Sequence, residues 1–224
     1  LGLEDAFPNG RPALEKAGVY LTDRTTVEKA EKMKVGTCLN PLHTALAVYG
    51  CLLGYTSISA EMGDPDLRAL VEHIAEESLP VVEDPGILSP RAFIDEVLNE
   101  RFPNPAIPDT PQRIAADTSQ KIPVRYGGTL RRYAQRPELE LSSLVFDPLV
   151  FAGWCRYLLG VDDQGREMPV SPDPMAPQLQ AHLAGIRLGE PDSCTAQLRP
   201  ILSNAAIFGV DLYQAGLGGR VEEM

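Results

Sequence analysis

The 224-residue sequence is short of positive charge, of patterned cysteine and of long apolar runs, and each shortage removes a class of function. Its 20 Lys and Arg face 31 Asp and Glu, a formal net charge of −11. That balance argues against nucleic acid as a partner, because such binding rests on clustered cations that neutralise phosphates. An anionic small substrate stays open, since a pocket needs only local positive charge. Cys38, Cys51, Cys155 and Cys194 form no C-x-x-C pair and each has apolar neighbours, so they read as reduced, buried thiols of a cytoplasmic protein. The spacing of Cys38, His43 and Cys51 fits no zinc knuckle and lacks a fourth ligand, so no metal is expected. No basic start leads into an apolar run, as a signal peptide requires. The longest apolar stretch, Ala45 to Leu53, is interrupted by Tyr49, Gly50 and Cys51 and falls short of the roughly 20 residues of a membrane span. It reads as a core helix, and no membrane partner is expected.

Also missing is a glycine-rich turn between a strand and a helix, commonly G-x-G-x-x-G, on which a dinucleotide would sit. Gly127-Gly128 and Gly216-Leu217-Gly218-Gly219 follow no strand pattern and read as helix ends or loops. The first residue is Leu1 rather than Met, and Glu4-Asp5-Ala6-Phe7-Pro8-Asn9-Gly10-Arg11-Pro12 reads as mid-protein loop, so a fragment or processed product is expected.

What is present is helical. Residues 1 to 24, rich in Gly and Pro, read as a loop; Thr25-x-x-Glu28 then reads as a capping box that opens a helix. That helix should break around Gly36 to Pro41, since Pro41 lacks an amide donor and disfavours helical dihedrals at Asn40. Pro41 suits the first turn of a second helix, whose Leu42, Ala45, Leu46, Tyr49, Leu52 and Leu53 keep helical spacing. Gly50 and Gly54 suggest close packing against it. Further helices are predicted at about 65–79, 90–101, 109–118, 126–135, 139–159, 174–187, 192–201 and 211–217, with no β-α-β alternation. Asp162-Asp163-Gln164-Gly165 reads as a tight turn of a small hairpin near 161–170, and its later acidic positions are too few for a calcium loop.

Two polar clusters interrupt this apolar pattern. Glu31, Lys32, Lys34, Asn40 and His43 lie immediately against the most apolar helix, where polar side chains must find partners or line a cavity. Asn40 and His43 share a helical face if the helix starts near residue 40. In the plain structural reading Asn40 caps the helix, His43 is a hydrogen-bonded core histidine and Lys34 is a surface lysine. The second cluster is Arg113, Asp117, Ser119 and Lys121, in which Asp117 and Lys121 have the spacing of a helical ion pair.

Lys34 to Tyr55, with its Leu39-Asn40-x-x-His43 core and the run Ala45-Leu46-x-x-x-Gly50-x-Leu52-x-Gly54-Tyr55, closely resembles the mannitol dehydrogenase family of long-chain, zinc-independent polyol and uronate oxidoreductases. The resemblance covers nearly the whole chain. Glu4-Asp5-x-Phe7-Pro8-x-Gly10-Arg11-Pro12 looks like that family's linker between its domains, and Asp109-Thr110-Pro111-Gln112-Arg113 with Asp117-x-Ser119-x-Lys121 is similar to its second substrate-contacting segment. Cys38 to Leu46 and Ser171-Pro172-Asp173-Pro174 look most like fructuronate reductases, also called D-mannonate oxidoreductases.

The resemblance implies a mainly α fold, a multi-helical C-terminal domain of the 6-phosphogluconate-dehydrogenase C-terminal-like type. Residues 1–24 would be the linker and 25–224 the substrate-binding and catalytic domain. NAD would be bound by a preceding Rossmann-type domain, leaving this chain alone inactive. Lys34 matches the general base, which must shed its charge with help from desolvation or a positive neighbour such as His43, Arg113 or Lys121. Asn40 matches the amide that stabilises the developing alkoxide, and His43 the group that hydrogen-bonds the reacting oxygen. Arg113 and Lys121 match residues that hold the rest of the substrate, and a guanidinium suits a uronate carboxylate. Glu31 matches a proton relay. Lys34 and Asn40 are six residues apart here against five in the mannitol-oxidising members, which leaves Lys32 as a second choice for the base. The substrates implied are D-mannonate and D-fructuronate, with mannitol, arabinitol or tagaturonate as alternatives. Outside this class stand a Schiff-base lyase built on Lys34 and a non-catalytic helical interaction domain.

Overall fold

Asp23, rather than the Thr25 box, opens the first long helix, because its carboxylate accepts the Thr26 amide at 2.9 Å. In this computed structural model, which describes residues 2–224, helix α1 spans Arg24–Met33. The segment before it is more than the loop expected: strands β1 (Gly2–Glu4) and β2 (Tyr20–Thr22) form a small parallel sheet with Gly2 opposite Tyr20.

The chain does not break over Gly36 to Pro41. It continues from α1 into a π turn, Lys34–Cys38, closed by the Leu39 amide on the Lys34 carbonyl at 3.1 Å. Only Leu39 departs from helical geometry, at φ −131° and ψ −61°, and α2 (Asn40–Leu53) follows with Pro41 in its first turn. A π turn takes up one residue more than an α turn, which accommodates the one extra residue in the six-residue step from Lys34 to Asn40. Two later side chains satisfy carbonyls here: the hydroxyl of Tyr126, at the junction of two later helices, donates to Pro41 O at 2.6 Å and the Thr129 hydroxyl to Gly36 O at 3.4 Å.

Helix α2 is the axis of the core, with Leu42, Ala45, Leu46, Ala47, Val48, Cys51 and Leu52 buried. Around it lie α3 (Ile58–Glu61), α4 (Pro65–Ser78), α5 (Pro90–Glu96, continued by a second π turn, Val97–Arg101), α6 (Pro111–Ile114) and α7 (Thr118–Arg125). Then come α8 (Gly127–Gln135), α9 (Phe146–Tyr157), α10 (Ala176–His182), α11 (Arg199–Leu202), α12 (Ala205–Phe208) and α13 (Gly218–Glu223). Gly50 gives the close approach expected of it: a Cβ there would lie 2.9 Å from Pro111 Cγ of α6. Gly54 does not; it ends α2 in the left-handed region at φ 79°. On the opposite side Gly153 of α9 receives the Tyr49 ring, whose hydroxyl donates to Leu149 O at 2.7 Å.

Several predicted helices are shorter or displaced. The 109–118 helix is two pieces, α6 and the start of α7, separated by Asp117 at φ 54°. The 139–159 helix is α9 preceded by a 3-10 turn at Leu141–Ser143, and Glu77 of α4 supplies its cap: the carboxylate accepts the amides of Val145, Phe146 and Asp147. The 192–201 stretch is a 3-10 turn, Pro191–Ser193, and the short α11. No helix forms at 211–217; the last helix is α13. Near 161–170 an isolated antiparallel bridge joins Val161 to Glu167 around the Asp162–Gly165 turn. Cys38, Cys51 and Cys155 are buried free thiols, whereas Cys194 is partly exposed. Among the described residues no helix is long and apolar enough to cross a membrane.

Candidate active site

Two stretches of chain meet at the first turn of α2, one carrying Glu31, Lys34, Asn40 and His43, the other carrying Asp109, Arg113 and Lys121. α6 and α7 both pack on α2, and α7 also packs on the π turn. Lys34 is half-buried, and its ammonium lies 5.3 Å from the centre of the Phe93 ring on α5, a cation–π arrangement. Lys32 points elsewhere: it is exposed and sits 3.6 Å from Glu83. Glu31 is exposed, one turn before Lys34. The Lys34 carbonyl accepts the Leu39 amide, and the Leu39 carbonyl accepts the His43 amide at 3.0 Å, so two backbone bonds link the lysine to α2.

Asn40 does not cap α2. Leu39 holds the cap position without a side-chain bond, and the half-buried Asn40 amide takes no hydrogen bond from the described residues. Its backbone carbonyl accepts the Thr44 hydroxyl at 2.9 Å. Nor is His43 a hydrogen-bonded core histidine. Its Nε2 is buried without a hydrogen-bond partner, although Asp109 Oδ2 lies 3.3 Å away and the Phe102 ring 5.2 Å from its own. Burial pulls the His43 proton affinity well below the ordinary value; Asp109 opposes this, and the guanidiniums of Arg125, Arg101 and Arg113 reinforce it. His43 is therefore neutral near pH 7, and its approach to Asp109 is not an ion pair.

Asp109 divides its carboxylate, since the other oxygen receives the Arg113 guanidinium. The helical ion pair expected between Asp117 and Lys121 does not form. Asp117 stands ahead of α7 in the left-handed region, its amide bonded to Pro172 O at 2.8 Å, and the Lys121 ammonium donates to Ile114 O at 2.9 Å. Burial lowers the Lys121 pKa, followed by the charge of Arg125. Of the positive groups expected beside Lys34, Arg113 instead acts on His43 and Lys121, and the neighbour of the Lys34 ammonium is an aromatic face. Ser171-Pro172-Asp173-Pro174 has a structural part here: Asp173 accepts the Ser119 amide at 2.7 Å and its hydroxyl at 2.6 Å, and so fixes the start of α7.

A model of the mannitol dehydrogenase C-terminal domain matches residues 26–222. The chain belongs to the mannitol dehydrogenase family. Over its full length it is 58% identical to the D-mannonate oxidoreductase of Thermotoga maritima, of which it spans 42%. It is 35% identical to the mannitol 2-dehydrogenase of Aspergillus niger over 94% of the chain and 40% of that protein. The solved ternary complex of Pseudomonas fluorescens mannitol 2-dehydrogenase with NAD and D-mannitol superposes with a TM-score of 0.79 at 31% identity, covering 99% of this chain and 42% of that one. The chain thus spans about two fifths of the relatives it matches.

This family member holds no dinucleotide cradle among its described residues. Gly127 and Gly128 open α8, Gly218 and Gly219 open α13, and neither pair follows a strand. Nor do three or more His, Cys, Asp or Glu side chains gather in a metal-binding arrangement among the described residues. The residues that sequence reasoning passed over are Asp109, shared between His43 and Arg113, and Arg125, whose guanidinium donates to the Thr44 hydroxyl at 2.5 Å. A signal for Arg125 existed, because Lys121 and Arg125 are like charges one helical turn apart, a pairing that costs stability unless a counter-ion is expected.

Proposed function

We propose that this domain binds the substrate and carries the proton chemistry of a zinc-independent, NAD-dependent oxidoreductase that interconverts D-mannonate and D-fructuronate. The observation that supports the reading is the placement, in the π turn and in the first turn of α2 that follows it, of a half-buried lysine, a free amide at Asn40 and a neutral, partnerless His43 Nε2. Nicotinamide, held by a preceding Rossmann-type domain, supplies the hydride acceptor. In the oxidative direction Lys34, acting as its free amine, takes the proton of the substrate hydroxyl as the C–H hydride leaves for the nicotinamide and the carbonyl forms. The Asn40 amide and His43 hold the oxygen as negative charge develops, fixed donors in a site screened from water. Glu31, exposed one turn before Lys34, passes the proton to solvent. Arg113 and Lys121 hold the far end of the substrate. The 58% identity to a D-mannonate oxidoreductase supports the uronate substrate over a polyol.

Substrate kinetics on the full-length protein test the reading. Turnover of D-mannonate well above that of mannitol, arabinitol and tagaturonate is expected. Mannitol turnover far above mannonate turnover would sink the uronate assignment. Borohydride trapping of a keto-acid on Lys34 would replace the dehydrogenase with Schiff-base chemistry.

A further inference from the structure

Arg125 is a half-buried cation without a carboxylate partner in an acidic protein. Its side chain is half-buried near the end of α7, and its one side-chain bond is to a neutral hydroxyl, Thr44 Oγ1. Several other arginines have carboxylate partners, Arg113 with Asp109, Arg132 with Glu83 and Arg91 with Glu76, and Arg136 and Arg220 donate to backbone carbonyls. No carboxylate lies within 4.0 Å of Arg125 among the described residues, and burial draws its pKa down. Lys121, one turn earlier, is likewise without an acidic partner at that distance and donates to a backbone carbonyl. A desolvated charge left in this state costs stability unless something pairs with it.

Its position says what that partner does. Thr44, which accepts from Arg125, itself donates to the Asn40 carbonyl and follows His43 directly in the chain. One hydroxyl therefore ties the guanidinium to the turn that carries Asn40 and His43. The Asp173 clamp on Ser119 fixes α7 at its other end, so Arg125 is held from both sides. The cavity of about 660 Å³ lined by Tyr49, Leu149, Gly153 and Cys194 shares no residue with this cluster.

We propose that Arg125 is the binding residue for the carboxylate of a hexuronate or aldonate substrate, and that it sets the preference for acid sugars over uncharged polyols. This rests on the dehydrogenase reading above and deepens it. Arg113 is already shared with Asp109, whereas the Arg125 fork keeps donors free beyond the one given to Thr44.

The test is steady-state kinetics of the full-length protein with D-mannonate, together with inhibition by D-gluconate and by mannitol as acid and neutral probes. Arg125→Gln is expected to raise the KM for D-mannonate about 30-fold with a smaller change in kcat, the loss of one charge-assisted interaction. The Ki of gluconate relative to that of mannitol should rise by a similar factor. Thr44→Val, which removes the tether but not the charge, should move the KM far less; if it reproduces Arg125→Gln, the arginine only braces the turn and the proposal is overturned. A KM for D-mannonate within about threefold of the parent in Arg125→Gln also overturns it. If the parent oxidises mannitol and not mannonate, the substrate reading fails first and this inference with it. Should Arg125→Gln not fold, Arg125→Lys carries the test, because it keeps charge but loses the fork: a roughly tenfold rise in KM is expected and an unchanged KM overturns the proposal.

Discussion

His43 Nε2 lies 3.3 Å from Asp109 Oδ2, close enough to be steered by the carboxylate and yet without a hydrogen bond to it. Asp109 is a rigid reference for this approach. Its backbone carbonyl accepts the Ile58 amide at 3.0 Å, its own amide bonds Ile107 O at 2.8 Å, and its second oxygen receives Arg113. One carboxylate thus meets both His43, proposed above to hold the reacting oxygen, and Arg113, proposed to hold the far end of the substrate. The Arg113 side chain is 63% exposed, so the pair adds little to stability, and its worth lies in position.

Replacing Asp109 should therefore cost activity more than stability. Asp109→Ala is expected to lower kcat/KM by roughly 100-fold, since misplacement of about 1 Å carries a penalty of that size. Asp109→Asn, which keeps the shape, should lose less. Thermal unfolding should move by only a few degrees. Parent-like kcat/KM in both variants would show that Asp109 positions nothing the reaction uses.

The π turn sets the two candidate lysines apart. Lys34 opens it and lies over Phe93, while Lys32, two residues earlier, is drawn to Glu83 at the surface. Lys34→Ala should lower kcat by about 10²- to 10⁴-fold, the usual range for a lost general base. Lys32→Ala should leave kcat near that of the parent. The reverse outcome would transfer the base to Lys32; two parent-like variants would favour a non-catalytic helical module.

How far the sequence could go is clear at these same residues. Helix α2 was legible because Leu42, Ala45, Leu46 and Leu52 repeat at helical spacing and all are buried. The family was legible because its motifs occur in order. The π turn was not: it is packed against α7 and α8, with Thr129 on the Gly36 carbonyl and Tyr126 on the Pro41 carbonyl, a tertiary setting with no local signature. The break at Asp117 was hidden for a related reason, since a non-glycine residue at φ 54° is uncommon and here its amide is held by Pro172 O, far along the chain. The parallel pairing of β1 with β2 joins segments that each span three residues, too short for a period to show. Asp109 was quoted within a motif, but its two partners come from different elements and only the fold brings them together.

Glu61 gives the structure a measurable pH signature. Its carboxyl is fully buried between α3, Gly50 of α2 and Pro111 of α6, and neither oxygen has a hydrogen-bond partner. Burial, aided by the charge of Asp64, raises its pKa from the ordinary 4.5 to about 9. Because the folded value is the higher one, the stability tied to the proton is complete below about pH 4.5 and is lost as pH rises through about 9. Between these limits the slope approaches about 1.4 kcal/mol per pH unit, an upper bound since internal relaxation softens it. Asp147, also buried without partners and raised by burial and Glu77, acts with the same sign. Glu61→Gln keeps the shape and removes the titration. Its unfolding free energy should exceed that of the parent by a margin that widens from pH 5 to pH 8, measured by urea unfolding at each pH. Parallel pH profiles for the two proteins would mean that Glu61 is already ionised in the fold and has found a partner among the groups around it.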